Sequence, residues 1–314
     1  MPEPVRCNLC GADDARPLFR RADERLLVDD VEWVAVRCQG CGLAYLNPRP
    51  TRDEIGRYYP GGYFDRRATM VPRYERQAGY VPGEPGRLLD VGTARGDFLA
   101  VMRDRGWDVV GVEPAEAGNP HGLEIHRAPF PERCDLPDES FDVITAWAVF
   151  EHLHDPASAF DACARMLRPG GTLIVQVPNI RSPHGRWAED VPRHLYFFSA
   201  ATLRQYGQRS GLELERVVHT TDLFGGSGRG LLRLWLVRAL RKSDREFFEI
   251  YRAPRRERLR RWPLLTVAWT GVGALERVVL ADAVVRRLRI SGQIVAYFRK
   301  PEAAAQSAPD ARAA

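Results

Sequence analysis

The sequence predicts an α/β chain built on a doubly wound, mainly parallel sheet of seven strands. A small cysteine module precedes the sheet, and a basic helical insertion interrupts it before the last strand. Short apolar runs at 87–91, 108–112, 123–126, 141–147 and 172–177 alternate with amphipathic stretches at 97–105 and 157–168. Strands alternating with helices require a parallel sheet covered on both faces. A glycine-bearing turn, Gly92 to Gly96, joins the first run to the first helix. The helix at 202–210 and strands at 213–219 and 293–299 complete the set.

Composition sets the outer limits. The 314 residues are 45% hydrophobic and 28% charged, which excludes a disordered chain, a collagen-like fibre and a coiled coil. The longest uncharged run of the C-terminal third, Trp262–Leu275, is too short for the ~20 residues that cross a bilayer. Residues 1–7 lack the apolar stretch of a secretion signal. The expected location is cytoplasmic, either free or peripheral at the inner face of the cell membrane.

Residues 1–50 form the cysteine module. Cys7-x-x-Cys10 and Cys38-x-x-Cys41 are two matched pairs separated by 27 residues, with Gly11, Gly40 and Gly42 easing the turns. Four thiolates on two such turns suit a tetrahedral Zn²⁺, and the closed ligand set would make that zinc structural. Two disulfides or a redox motif are the alternatives. Cys134 and Cys163 have no matching partners.

Residues 51–85 form a connector, helical in pattern over 51–80, rich in Tyr and Arg, and ending in Val81-Pro82-Gly83-Glu84-Pro85. The sheet domain occupies 86–228 and regains its last strand at 291–300. Its first strand runs through Asp90-Val91-Gly92-Thr93-Ala94-Arg95-Gly96-Asp97 into a helix. A ligand can approach the backbone there, where a helix start offers unpaired amides. A dinucleotide fingerprint would need glycine at position 97, which is aspartate. Glu113 closes the next strand, where a carboxylate can accept both hydroxyls of an adenosine ribose.

At these residues the sequence resembles the class I S-adenosylmethionine-dependent methyltransferases, whose fold is Rossmann-like, over roughly 86–220 and 291–299. Leu136–Ile144, Phe150-Glu151-His152-Leu153, Leu167–Thr172 and His194–Ser199 carry further resemblance. The wording from Cys38 to Pro50 is similar to the zinc-ribbon leader of a bacterial subgroup. That subgroup includes sugar C-methyltransferases and enzymes of glycan or natural-product pathways. One departure is Ala94, where glycine is commonest.

The resemblance implies that Asp90, Gly92, Ala94 and Gly96 hold the methionine end of the cofactor, with Thr93 in the same turn. It assigns the ribose to Glu113, beside Pro114, and the adenine to Phe130 and Trp147. Trp147 reads equally well as a core residue. Methyl transfer to a hydroxyl or carbon acid needs a base. The candidates are His152, oriented by Glu151, or else His194; the alternative makes Glu151 a helix cap and His152 structural. Quinone-pathway O-methyltransferases resemble this stretch but carry a carboxylate where this chain has Ala148, so a catalytic Mg²⁺ is not expected.

The insertion, 229–290, holds 16 Lys+Arg and 6 Asp+Glu, a net +10 that leaves −5 for the rest of the chain. Leu232, Trp235, Leu236, Ala239 and Leu240 form one apolar helical stripe, with Arg233, Arg238, Arg241 and Lys242 off it. An arginine cluster (252, 255, 256, 258, 260, 261) precedes the apolar run. Three readings follow: a substrate cap or homodimer surface, a dock for anionic lipid, or a nucleic-acid contact, which the apolar content disfavours. The tail, 301–314, reads as disordered.

The expected activity is methyl transfer to a small molecule, a sugar or a lipid-linked glycan. An RNA methyltransferase that reads its substrate through the zinc ribbon is the alternative, as is a cofactor-binding scaffold without catalysis.

Overall fold

The computed structural model describes residues 1–23, 26–59, 71–182, 190–223, 231–240, 246, 249–250, 253–279 and 282–302. Outside this set lie part of the connector, Arg241, Lys242 and Arg252 of the insertion, and most of the tail.

Two sheets build the molecule. Three strands open the chain: β1 (Ala15–Arg21), β2 (Trp33–Cys38) and β3 (Ala44–Leu46). They form an antiparallel sheet whose fourth strand, β9 (Tyr196–Phe197), comes from the far side of the sequence. The large sheet comprises β4 (Arg87–Val91), β5 (Asp108–Val112), β6 (Glu124–His126), β7 (Phe141–Trp147), β8 (Leu167–Pro178), β10 (Glu213–Thr220) and β11 (Gln293–Arg299). Its order is β10-β11-β8-β7-β4-β5-β6, and β11 alone runs against its neighbours. All seven expected strands are present, with small shifts at their ends.

Alternation along the strands decides which helices cover which face. Leu88, Val109, Val143, Ile174 and Val295 point to one face, where α1 (Val71–Ala78) and α2 (Asp97–Asp104) bring Tyr74, Phe98, Leu99 and Met102. Their neighbours Leu89, Val110, Ile144, Leu173, Val175 and Ile294 point to the other. There α3 (Pro156–Met166) and α4 (Ala200–Arg209) bring Phe160, Leu203 and Tyr206. That second core is continuous with Cys7, Trp33, Ala35, Tyr45 and Leu46 of the N-terminal sheet.

Local chemistry sets the helix ends. Asp155 caps α3 by accepting from the Ser158 amide at 3.1 Å, with Pro156 at the first helical position. Ser199 and Thr202 form a capping box on α4. Among the described residues the connector is less helical than its pattern suggests: a 3-10 turn at Ile55–Tyr58, then α1.

The insertion supplies α5 (Leu231–Ala239), α6 (Arg255–Arg261), α7 (Pro263–Val279) and α8 (Asp282–Arg287). Val237, Ile250 and Trp269 form a small cluster of their own, apart from the two main cores. Trp235, Ala239 and Leu240 of the expected stripe are exposed. No helix among the described residues is long and apolar enough to cross a membrane.

Candidate functional site

The chain runs outward from β4 to β5 and β6, then returns to β7 on the other side of β4, which opens a crevice at the carboxyl ends of these strands. A cavity of about 380 Å³ lies there. It is lined by Gly92, Glu113, Pro114, Phe130, Val149 and His152, with Tyr59, Val91, Val112, Ala115, Ala148 and Leu153.

The turn after β4 is held tightly. The amides of Gly92 and Thr93 both donate to the Val112 carbonyl, at 2.8 and 3.2 Å. Gly92 has φ +74°, and a Cβ there would stand 2.4 Å from Val149 Cγ2, so only glycine fits. Ala94, at φ +52°, takes a left-handed conformation unusual for alanine. Gly96, at φ +82°, stands just before α2.

Glu113 is buried and spans the turn. Its carboxylate accepts from the Ala94 amide at 2.9 Å through one oxygen and from the Ala115 amide at 2.9 Å through the other. Each carboxylate oxygen has a second lone pair. The strand-end acid is thereby fixed in direction at the cavity wall.

Asp90 and Thr93 are buried beside the cavity rather than among its lining residues. Asp90 accepts from the Thr145 hydroxyl at 2.6 Å, and burial pushes its carboxyl up to about 7. Phe130 and Pro114 line the cavity. Trp147 does not: it shares the strand face of Val143, and its ring packs edge-on to Phe98 (5.5 Å) and Tyr80 (6.4 Å). Between its two readings, the side chain occupies the core position.

A 3-10 turn, Phe150–His152, follows β7 and carries two candidate catalytic residues. Glu151 does not cap α3, because Asp155 does. His152 Nδ1 lies 2.9 Å from the Arg193 carbonyl and 3.0 Å from the Tyr59 hydroxyl. A carbonyl only accepts, so Nδ1 carries the proton and Nε2 is the basic nitrogen. The His194 ring packs edge-on to His152 at 4.7 Å, and its Nδ1 accepts from the Asp190 amide at 3.2 Å. Glu151, His152 and His194 each place one ligand-type atom within 4.8 Å of the others. Ala148 supplies no further carboxylate to this group.

Two contributors escaped the sequence reading. Tyr59 comes from the connector, 93 positions before His152; the Tyr-rich composition was its only signal. Arg193 is fully buried, with its guanidinium bonded to Asp23 (2.7 and 3.1 Å), Asp190 (2.9 Å) and the Tyr58 carbonyl (3.0 Å). Burial pushes the Asp23 carboxyl up, but the Arg193 guanidinium and the Leu26 and Val28 amides outweigh it and hold the group below its ordinary range.

The four N-terminal cysteines also meet. Their sulfurs all lie within 4.8 Å of one another, with Cys7 Sγ 3.4 Å from Cys41 Sγ and Cys10 Sγ 3.5 Å from Cys38 Sγ. These contacts run between the two pairs and exceed the ~2.05 Å of a disulfide. All four are free thiols, which removes the disulfide alternative. Gly11 and Gly42 both have positive φ, a backbone conformation that glycine adopts without strain.

Residues 63–217 match the family described as Methyltransferase domain. A ubiquinone biosynthesis O-methyltransferase of Hahella chejuensis is 39% identical over 113 residues, 33% of this chain and 46% of that protein. A probable S-adenosylmethionine-dependent methyltransferase of Mycolicibacterium smegmatis is 32% identical over 173 residues, 53% of this chain and 64% of that protein. This chain thus spans about half to somewhat under two thirds of these relatives. Among solved structures, a chain from the complex of the Haloferax volcanii Trm112 methyltransferase activator with a methyltransferase superposes with a TM-score of 0.51. That superposition covers 80% of this chain and all of the other at 18% identity, a likeness of fold. With its glycine turn, strand-end acid and sheet order, the chain has the Rossmann-like methyltransferase fold and matches the Methyltransferase domain family over 63–217.

Proposed function

We propose that the protein transfers a methyl group from S-adenosylmethionine to a small-molecule acceptor, with His152 as general base. The carrying observation is that one cavity reaches from the ribose-type acid Glu113 to His152. The residues fit the cofactor: a fixed carboxylate for the sugar hydroxyls, Phe130 and Val112 as apolar walls for the purine, and Asp90 at the methionine end. When bound, the cofactor supplies an electrophilic methyl group on a sulfonium.

The protein's part is placement and proton handling. An acceptor hydroxyl held against the cavity mouth must lose its proton as the new bond forms. His152 takes that proton at Nε2, while Nδ1–H stays on the Arg193 carbonyl and the Tyr59 oxygen. His194 and Glu151 flank the ring and hold it in place. A small acceptor agrees with the ubiquinone-biosynthesis O-methyltransferases among its relatives, and a sugar or lipid-linked glycan agrees with the resemblance carried by Cys38–Pro50.

Cys7, Cys10, Cys38 and Cys41 bind one structural Zn²⁺ in this reading. Tetrahedral Zn–S bonds of ~2.3 Å place sulfurs ~3.8 Å apart, close to the spacing here. The four thiolates leave no open coordination position, so the ion takes no part in the chemistry.

Labelled methyl transfer from the cofactor into cell extract tests the assignment. The expected product is a small molecule, with turnover reduced about a hundredfold or more in His152→Ala and cofactor affinity kept. Full turnover in that variant would remove His152 as the base. Label found only in RNA, or no transfer at all, would overturn the reading.

A further inference from the structure

Helix α7 is built inside out. Its outward residues include Leu264, 86% exposed, Val267, 69%, and Leu275, 53%, with Ala268, Gly271 and Ala274 between them. No charged residue interrupts 262–275. Its inward side carries the charge: Glu276 is buried, accepts from the Arg233 amide at 3.0 Å and pairs with the Arg233 guanidinium at 3.4 Å. A helix at a water surface does the reverse. The Thr266 and Thr270 hydroxyls donate to carbonyls four residues back, both at 2.8 Å, so neither needs water as an acceptor.

The helices on either side of α7 in the chain are basic. Helix α6 presents Arg255, Arg256, Arg260 and Arg261 to solvent, and α8 ends in Arg286 and Arg287. Trp235 on α5, 65% exposed, adds an aromatic of the kind that settles at a lipid–water boundary.

We propose that this face docks on an anionic lipid bilayer, with α7 lying in the interface and the arginines on the headgroups. Charge complementarity selects the occupant. The 229–290 segment carries net +10, so a second copy of the same face would bring like charge against it. An anionic surface reverses that sign and accepts the apolar face as well. Topology gives the docking a use. The chain leaves β10 at Thr220, passes through the insertion and rejoins the sheet at Gln293, which pairs with Pro178 at the carboxyl end of β8. That is the end of the sheet at which Gly92, Glu113 and His152 lie, so an acceptor carried in the bilayer would meet the protein on the cavity's own side.

Flotation of the full-length protein with phosphatidylcholine vesicles, with and without phosphatidylglycerol, tests the proposal at low and high salt. The expected result is flotation only with the anionic vesicles, weakened by salt. The triple variant Arg255→Glu, Arg256→Glu, Arg260→Glu should bind about a hundredfold more weakly or worse. The double variant Leu264→Glu, Val267→Glu should lose flotation while keeping its helical circular dichroism and its affinity for S-adenosylhomocysteine. No flotation of the wild type, or flotation indifferent to both variants, would overturn the proposal. So would a dimer in sedimentation that the double variant dissolves without any vesicle binding, since that makes the face a self-interface. The readout needs no cofactor, so failure of methyl transfer and failure of docking are told apart.

Discussion

His152 Nδ1 lies 2.9 Å from the main-chain carbonyl of Arg193, whose guanidinium is sealed between Asp23 and Asp190. The imidazole of the 3-10 turn is therefore set by an ion network that begins in the N-terminal module. Breaking a buried pair by removing one partner costs about 3–5 kcal/mol. Asp23→Ala is expected to lower Tm by several degrees and to reduce kcat more than affinity for S-adenosylhomocysteine. Calorimetric melting and steady-state kinetics read the two effects separately. Equal losses in kcat and cofactor affinity would detach the network from His152.

Asp90 gives a pH signature. Burial raises its carboxyl to about 7 in the folded chain, against about 4 for a free aspartate. The folded state thus holds a proton that the unfolded state has released. This contribution is complete below about pH 4 and disappears as pH rises through about 7. Asp90→Asn should flatten that fall in stability, as measured by chemical unfolding at several pH values. If Asp90 faces the cofactor's ammonium, binding below pH 7 should also release a proton, visible as a buffer-dependent heat.

Gly92→Ala meets two obstacles, a φ of +74° and Val149 Cγ2 at 2.4 Å from the new Cβ. The backbone strain alone is worth about 1–3 kcal/mol. Adding Val149→Ala should relieve the clash but not the strain, so the double variant recovers stability only in part. Full recovery would show that packing, not conformation, fixes glycine here.

Metal analysis of purified protein should find one zinc per chain, lost in Cys38→Ser. The cysteine module is tied to α4 and to the start of α3, just after the turn that carries His152, by Asn8, which donates to Asp155 at 2.9 Å and accepts from the Ala157 amide at 3.0 Å and the Tyr206 hydroxyl at 2.9 Å. Removing zinc should therefore lower Tm and kcat together. Full activity of a zinc-free chain would confine the cysteine module to a separate role.

What could be read from the sequence was local. Strand periodicity, the Gly92–Gly96 turn, the acid at 113 and the paired C-x-x-C motifs each declare themselves within a few residues. What could not be read was long-range. β9 pairs Tyr196 with Tyr45 across 151 positions, and Asp23 meets Arg193 across 170. No periodicity encodes such meetings. Trp147 was ambiguous because a strand's last residue can turn toward core or crevice, and the packing of Phe98 and Tyr80 decides it. The inverted helix was hidden for a related reason: Trp262–Leu275 is uncharged on every side, so its outward face emerges only once Glu276 is seen buried against Arg233.

In the proposed function Glu113 grips the cofactor in the cavity that His152 shares. Calorimetric titration of zinc-loaded protein with S-adenosylhomocysteine tests it most directly. One site per chain is expected in the wild type, weakened about tenfold to a hundredfold in Glu113→Ala, in line with the loss of hydrogen bonds to a charged group. Absence of binding by the well-folded wild type, or unchanged affinity in the variant, would contradict the account.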